Sequence, residues 1–173
     1  MVSAEDWAYD GAMKLVVSLL LFVTTVVGME VFAWAMHRYV MHGFLWSWHR
    51  SHHEPHDKVL EKNDLFALVF ALPAMGLIAI GLHVWDWALP IGLGVTAYGL
   101  IYGWFHDGLV HRRYPTGLSG RSAFWRKRIQ AHRLHHAVHT KTGGVSFGFL
   151  WVQPVRVLKA ELVQKRTASS SGA

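Results

Sequence analysis

Three long apolar blocks, Leu15 to Met36, Leu65 to Leu82 and Ala88 to Phe105, constrain this chain more than any other feature. At 1.5 Å per residue an 18-residue helix rises about 27 Å, close to the hydrocarbon thickness of a bilayer. Apolar residues make up 52% of the sequence and charged ones only 16%, and a chain of 173 residues has too small an interior to bury three such segments in a soluble core. The blocks therefore predict an all-α, integral membrane helical bundle with about three spanning helices, at 15–36, 65–82 and 88–105. One domain is expected over 1–165. The first block is too long for the core of a signal peptide and no small-residue cleavage site follows it, so it is expected to remain in the mature protein. The stretch "RTASSSGA", 166–173, is small and polar and reads as a disordered tail.

Charge sets the expected topology. Of the 17 Lys and Arg, 16 lie within 37–64 or 106–173, and the connector "HVWDW" between the second and third blocks has none. By the positive-inside rule the N-terminus and that connector lie outside, and both basic segments lie in the cytoplasm. Trp34, Trp46, Trp48, Trp85, Trp87 and Trp104 fall at or just beyond the block ends, where amphipathic rings favour the headgroup layer. "VSFGFLWV", 145–152, is too short to span and is soon followed by Pro154, so it reads as an interfacial or re-entrant piece.

Cysteine is absent, which excludes disulfides, Cys-ligated haem and cysteine-held iron–sulfur clusters. No Gly-rich phosphate fingerprint is present either. Electrons for any redox chemistry must come from outside the chain.

Histidine is where the chemistry concentrates. Of 13 histidines only His83 lies outside the two basic segments, and it reads as a plain surface residue. His37, His42, His49, His52, His53 and His56 follow the first block; His106, His111, His132, His135, His136 and His139 follow the third. Each set is an H-x-x-x-x-H pair followed by H-x-x-H-H-x-x-H. Because the hairpin of blocks two and three starts and ends on one side, both sets are expected to converge there as a cytoplasmic-side, histidine-rich metal cap. On a helix, His49, His52 and His53 share a 100° arc, but the neighbours His52 and His53 diverge by all of it and do not readily grip one ion. His37 and His42, five apart, also diverge unless the helix is interrupted, and Gly43 comes only after both. Two ions, each drawing on both sets, would employ ten of the imidazoles. Imidazole suits iron, copper, zinc and nickel alike.

The stretches "HRYVMHG", "WHRSHHEPHD", "LEKNDLFALVFA", "YGLIYGWFHDGLVHRR" and "QAHRLHHAV…GGVSFGF" resemble the membrane fatty-acid hydroxylase superfamily, and within it the bacterial β-carotene 3-hydroxylases. The resemblance covers about 29–160. Two places depart from the pattern: His139, where an acidic residue is expected, and "GLSGRSAFWRKR" before His132. The resemblance implies a monooxygenase with two non-haem Fe ions that inserts oxygen from O2 at C3 of a carotenoid β-ring, forming cryptoxanthin and then zeaxanthin. It implies electron supply by ferredoxin and its reductase, and a place in the bacterial inner membrane. It also implies His37, His42, His49, His52, His53, His106, His111, His132, His135 and His136 as iron ligands. The H-x-x-H members would share one ion and the last histidine of each H-x-x-H-H would serve the other.

His56, His139, Asp107 and Glu30 are candidate outer partners of the ligand rings. Asp107 can accept the ring N–H of a neighbouring histidine. Glu30, two turns before His37 on nearly the same face, either orients an imidazole or neutralises a polar contact. Arg121, Arg126, Lys127 and Arg128 offer a surface for an acidic ferredoxin, though ordinary positive-inside residues are the plainer reading. Rival functions are a carotenoid ketolase, a fatty-acid or sterol hydroxylase or desaturase, and a metal transporter. Spans two and three hold no Asp, Glu, Lys, Arg or His, which weighs against transport. A b-type cytochrome would place its histidines inside the spans.

Overall fold

The computed structural model describes residues 4–54, 60–117 and 119–171, and every regular element among them is helical. Helix α1 runs Ala4–Ala35, α2 Trp46–His53, α3 Leu65–His83, α4 Ala88–Gly103, α5 Ala123–His136 and α6 Val155–Ser171. A π-helix, Met36–Phe44, continues α1, and a second, Trp104–Val110, continues α4. Three helical stretches are long and apolar enough to cross a membrane: Asp10–Phe44, Lys62–His83 and Ala88–Val110. They contain the three expected spans and extend each one.

The chain divides into two compact units, Met1–Met29 with Leu68–Leu100, and Glu30–Ala67 with Ile101–Ala173. In the first, helices approach through small residues. A Cβ on Gly81 would collide with the backbone of Leu89, one on Gly92 would meet Ile78 and the carbonyl of Ala74, and one on Gly94 would meet Thr25 and the carbonyl of Phe22. Without a hydrophobic drive in lipid, such close backbone packing is what holds helices together. Thr24 and Thr96 donate to carbonyls one turn back, Leu20 at 2.7 Å and Gly92 at 2.9 Å, so neither hydroxyl is left dry. Leu15, Leu19, Leu20, Val23 and Val27 stand exposed along α1, as a lipid-facing surface requires.

In the second unit a small core of Ala131, Val145, Val152, Leu158 and Leu162 joins α5 to α6. Ser122 caps α5, accepting from the Trp125 N–H. Glu61 and Asp64 form a reciprocal cap ahead of α3. Arg113, just after the second π-helix, grips Asp64 with two bonds of 2.7 and 2.8 Å. From residue 166, where a disordered tail was expected, α6 instead continues to Ser171. Arg166 there donates to the carbonyl of Ala137 at the end of α5, and Lys165 to that of Gly144. Two cations used to tie off backbone acceptors give this polar stretch a reason to stay helical. The segment 145–152 is irregular, as its length suggested, with Val145, Phe149 and Val152 buried.

Candidate metal centre

In an α-helix, residues five apart point in different directions. The π-helices remove this difficulty without a break. Their hydrogen bonds run five residues, Leu45 N–H to Val40 C=O at 3.0 Å and His111 N–H to His106 C=O at 2.9 Å, so residues five apart stand roughly one turn above each other. His37 and His42 thus share a face, as do His106 and His111. Gly43 turns the chain only afterwards, with φ −106° and ψ −123°.

All ten histidines come together, in two groups of five. His37, His42, His49, His53 and His135 form one; His52, His106, His111, His132 and His136 form the other, and within each group the nitrogens lie within 4.8 Å of one another. Each group takes four members from one sequence set and one from the other, with His52 and His135 exchanged. The division corrects the expected pairing within each H-x-x-H-H. His49 and His52 do not share a group; His49 and His53 do, and His132 goes with His136 rather than with His135. Residues four apart on a helix diverge by only about 40°, against about 60° for three apart, so the first and last histidines of the motif aim at the same point.

Hydrogen bonds set the ring orientations. Nδ1 donates to a backbone carbonyl in four cases: His37 to Phe147 at 3.1 Å, His42 to Lys141 at 3.0 Å, His53 to Val138 at 2.8 Å and His135 to Val145 at 2.9 Å. His49 donates to the Asn63 amide oxygen at 2.7 Å, His52 to Glu61 at 2.8 Å and His106 to Asp107 at 2.8 Å. A carbonyl or carboxylate only accepts, so Nδ1 carries the proton and Nε2 is left with its lone pair. The Nε2 atoms turn inward and face one another. His37 and His49 stand 3.1 Å apart, His49 and His53 3.2 Å, His42 and His135 3.1 Å, His52 and His106 3.0 Å, and His111 and His132 2.9 Å. Nε2 of His136 is buried with no hydrogen-bond partner among the described residues.

Facing lone pairs repel unless a cation lies between them. At a metal–nitrogen distance of about 2.1 Å, ligands at right angles stand about 3.0 Å apart and tetrahedral ones about 3.4 Å. The observed spacing and five donors per group fit an ion of five or six coordination better than tetrahedral zinc.

The electrostatics agree with neutral ligand rings. Burial pushes His53 down to about 4, partly opposed by its bond to Val138, and pushes His111 down to about 3, helped by the adjacent His106. His49, His52, His132, His135 and His136 are held well below the usual range, by burial first and by neighbouring imidazoles second. Ten clustered imidazoles cannot all be charged, and the neutral form is the one that binds metal.

The remaining candidates separate clearly. Asp107 accepts the Nδ1–H of His106 at 2.8 Å. Glu30 touches no ring in its described bonds; its Oε1 accepts the N–H groups of Phe149, Leu150 and Trp151 at 2.9, 2.7 and 2.9 Å. It acts on the segment whose Phe147 carbonyl holds His37. His139 is exposed and belongs to neither group, and His56 lies outside the described residues. His83 is exposed at the end of α3. Arg121 and Arg126 are exposed, whereas Arg128 folds back over the Phe124 ring and donates to the Phe124 carbonyl.

Sequence reasoning missed Glu61 and Asn63, polar residues directly ahead of a span, and the aromatic walls. Trp46 packs on His42 and His53 at 5.0 and 5.3 Å between ring centroids, so it serves the site as well as any interface. Phe147 lies against His37, His42 and His135, and Tyr102 stacks on His106 at 4.9 Å.

Comparison with known proteins gives a consistent result. The Fatty acid hydroxylase family matches residues 22–153, which contain all ten histidines. The chain is 51% identical to the "Beta-carotene hydroxylase" of Paracoccus sp. (strain PC1), over 83% of this chain and 89% of that protein. It is 48% identical to the "Beta-carotene hydroxylase" of Pantoea ananas, over 90% and 89% respectively. To the longer "Beta-carotene 3-hydroxylase 1, chloroplastic" of Arabidopsis thaliana it is 39% identical, over 83% of this chain and 48% of that one. No solved structure matches the chain.

Proposed function

Given that the chain belongs to the fatty acid hydroxylase family, we propose that it is a carotenoid β-ring 3-hydroxylase, converting β-carotene to β-cryptoxanthin and then zeaxanthin. The observation that carries the reading is the pair of five-imidazole groups, built wholly from the family-matched segment of a chain about half identical to bacterial proteins named "Beta-carotene hydroxylase". His37, His42, His49, His53 and His135 would hold one iron, and His52, His106, His111, His132 and His136 the other. Bound iron supplies the activation of O2 that an unactivated C–H bond requires. One oxygen atom enters the C–H bond; the other leaves as water, using two protons and two electrons from a donor. A ferredoxin with its reductase is the proposed donor, since the chain has no cysteine to hold a redox cluster of its own.

The chain's own residues orient and seclude. Outward Nδ1–H bonds lock seven of the ten ligand rings in one tautomer, so ion binding meets a largely prepared set of donors. The packed rings of Tyr102, Phe105 and Phe149 beside His106 keep water from one flank. Placement in a bacterial inner membrane, with N-terminus outside and histidines at the cytoplasmic rim, would let a lipid-dissolved polyene present its end ring while electrons arrive from solution.

Anaerobic iron loading of purified protein, followed by turnover of β-carotene with O2 and reduced ferredoxin, tests the reading. Two irons per chain and 3-hydroxylated products carrying oxygen from labelled O2 are expected. His52→Ala and His136→Ala should each abolish turnover. Keto or desaturated products, or near-normal turnover by either variant, would overturn the assignment.

A further inference from the structure

The two imidazole groups differ in what stands behind them. Four of the five rings in the His37 group donate Nδ1–H to neutral backbone carbonyls and the fifth to the Asn63 amide. In the other group, His52 donates to the Glu61 carboxylate and His106 to Asp107, both at 2.8 Å. A single short stretch, "LEKND", makes part of this difference: Glu61 serves one group, and Asn63, two residues on, serves the other.

Resting on the di-metal reading above, we propose that Glu61 and Asp107 make the two metal positions unequal, so that the ion held by His52, His106, His111, His132 and His136 receives more charge from its ligands and is retained more tightly. A carboxylate draws the Nδ1 proton toward itself and leaves the ring a stronger donor at Nε2; a neutral carbonyl does so less. The carboxylates also place negative charge one ring's width from the ion. Arg113 offsets part of it, approaching Asp107 at 3.6 Å and Glu61 at 3.8 Å, but its two short bonds go to Asp64. Among the described residues, the three carboxylates of Glu61, Asp64 and Asp107 share the one guanidinium of Arg113. Glu30 accepts the backbone N–H groups of Phe149, Leu150 and Trp151. Glu61 and Asp107 are positioning residues, acting through His52 and His106.

Mössbauer spectroscopy of protein loaded anaerobically with 57Fe(II), together with release to a chelator, reads this without turnover. Two quadrupole doublets of equal area and biphasic release are expected. Glu61→Gln and Asp107→Asn, both near-isosteric, should shift one and the same doublet and speed release of the slow ion about 10–100-fold. Asn63→Asp should shift the other doublet and slow release of the fast ion; if Glu61→Gln fails to fold, this variant decides alone. Two irons in one unresolved doublet, or both doublets moving together in every variant, would overturn the inequality and leave the di-metal reading standing. Fewer than two irons per wild-type chain would overturn both.

Discussion

Replacing Glu30 should loosen the segment that holds two of the five rings of the His37 group in place. Its Oε1 accepts from three consecutive N–H groups, those of Phe149, Leu150 and Trp151, at 2.9, 2.7 and 2.9 Å. The same segment supplies the carbonyls of Val145 and Phe147 that orient His135 and His37. Hydrogen bonds to a carboxylate contribute about 1.5–3 kcal/mol each, and the exposed Trp151 N–H can turn to water, so Glu30→Ala should cost roughly 3–6 kcal/mol. Glu30→Gln keeps an oxygen at the same reach with about half the bond strength, which puts its loss near 2 kcal/mol. Unfolding of the metal-free protein in detergent would give the order wild type, Gln, Ala. Hydrogen exchange at 149–151 should quicken in step, and iron should be lost from one group before the other. If both variants unfold with wild-type midpoints, or if those amides stay protected in Glu30→Ala, the clamp is not what fixes this segment.

Acid should destabilise the metal-free protein. His53 and His111 are depressed to about 4 and about 3, below an unfolded value of about 6.5, so the unfolded chain binds more protons below that value. The stability they contribute is complete above about pH 6.5 and is lost as pH falls through about 4 and 3. Circular-dichroism melts should show a lower midpoint at pH 5 than at pH 7.5, and a flat profile would contradict the burial argument. His139→Ala, at an exposed position outside both groups, should leave iron content and turnover unchanged; loss of an iron would return it to the ligand set. Gly81→Ala drives a Cβ into the backbone of Leu89, which cannot rotate away, and should cost about 1–3 kcal/mol in a thermal melt; no shift would show that α3 and α4 do not meet so closely.

Much of this protein is legible in its sequence because the relevant signals are local. A span needs only a sufficient run of apolar residues, and all three are visible that way. The divergence of His52 from His53 follows from helical rotation alone, and the structure separates them. Asp107 meets His106 because they are adjacent. Inference weakened where an answer depends on how the backbone is wound. Uniform 100° steps set His37 apart from His42, whereas a π-helical turn brings them together, and no composition rule marks where α gives way to π. The helical continuation beyond residue 165 was hidden too, since it depends on Arg166 reaching a carbonyl 29 residues earlier.

The sequence by itself determined that three helices can cross a bilayer, that twelve imidazoles follow two of them, and that no cysteine chemistry is available. Those are properties of composition and of neighbours along the chain. Only the tertiary structure decided which histidine joins which group, and which acceptor stands behind each ring. His37 finds its partner 110 residues away at Phe147, His42 finds Lys141 after 99, and His52 finds His106 after 54. Contacts at such separations are fixed by how helices pack, and packing depends on the shapes of all the elements at once, which no single stretch of the chain encodes.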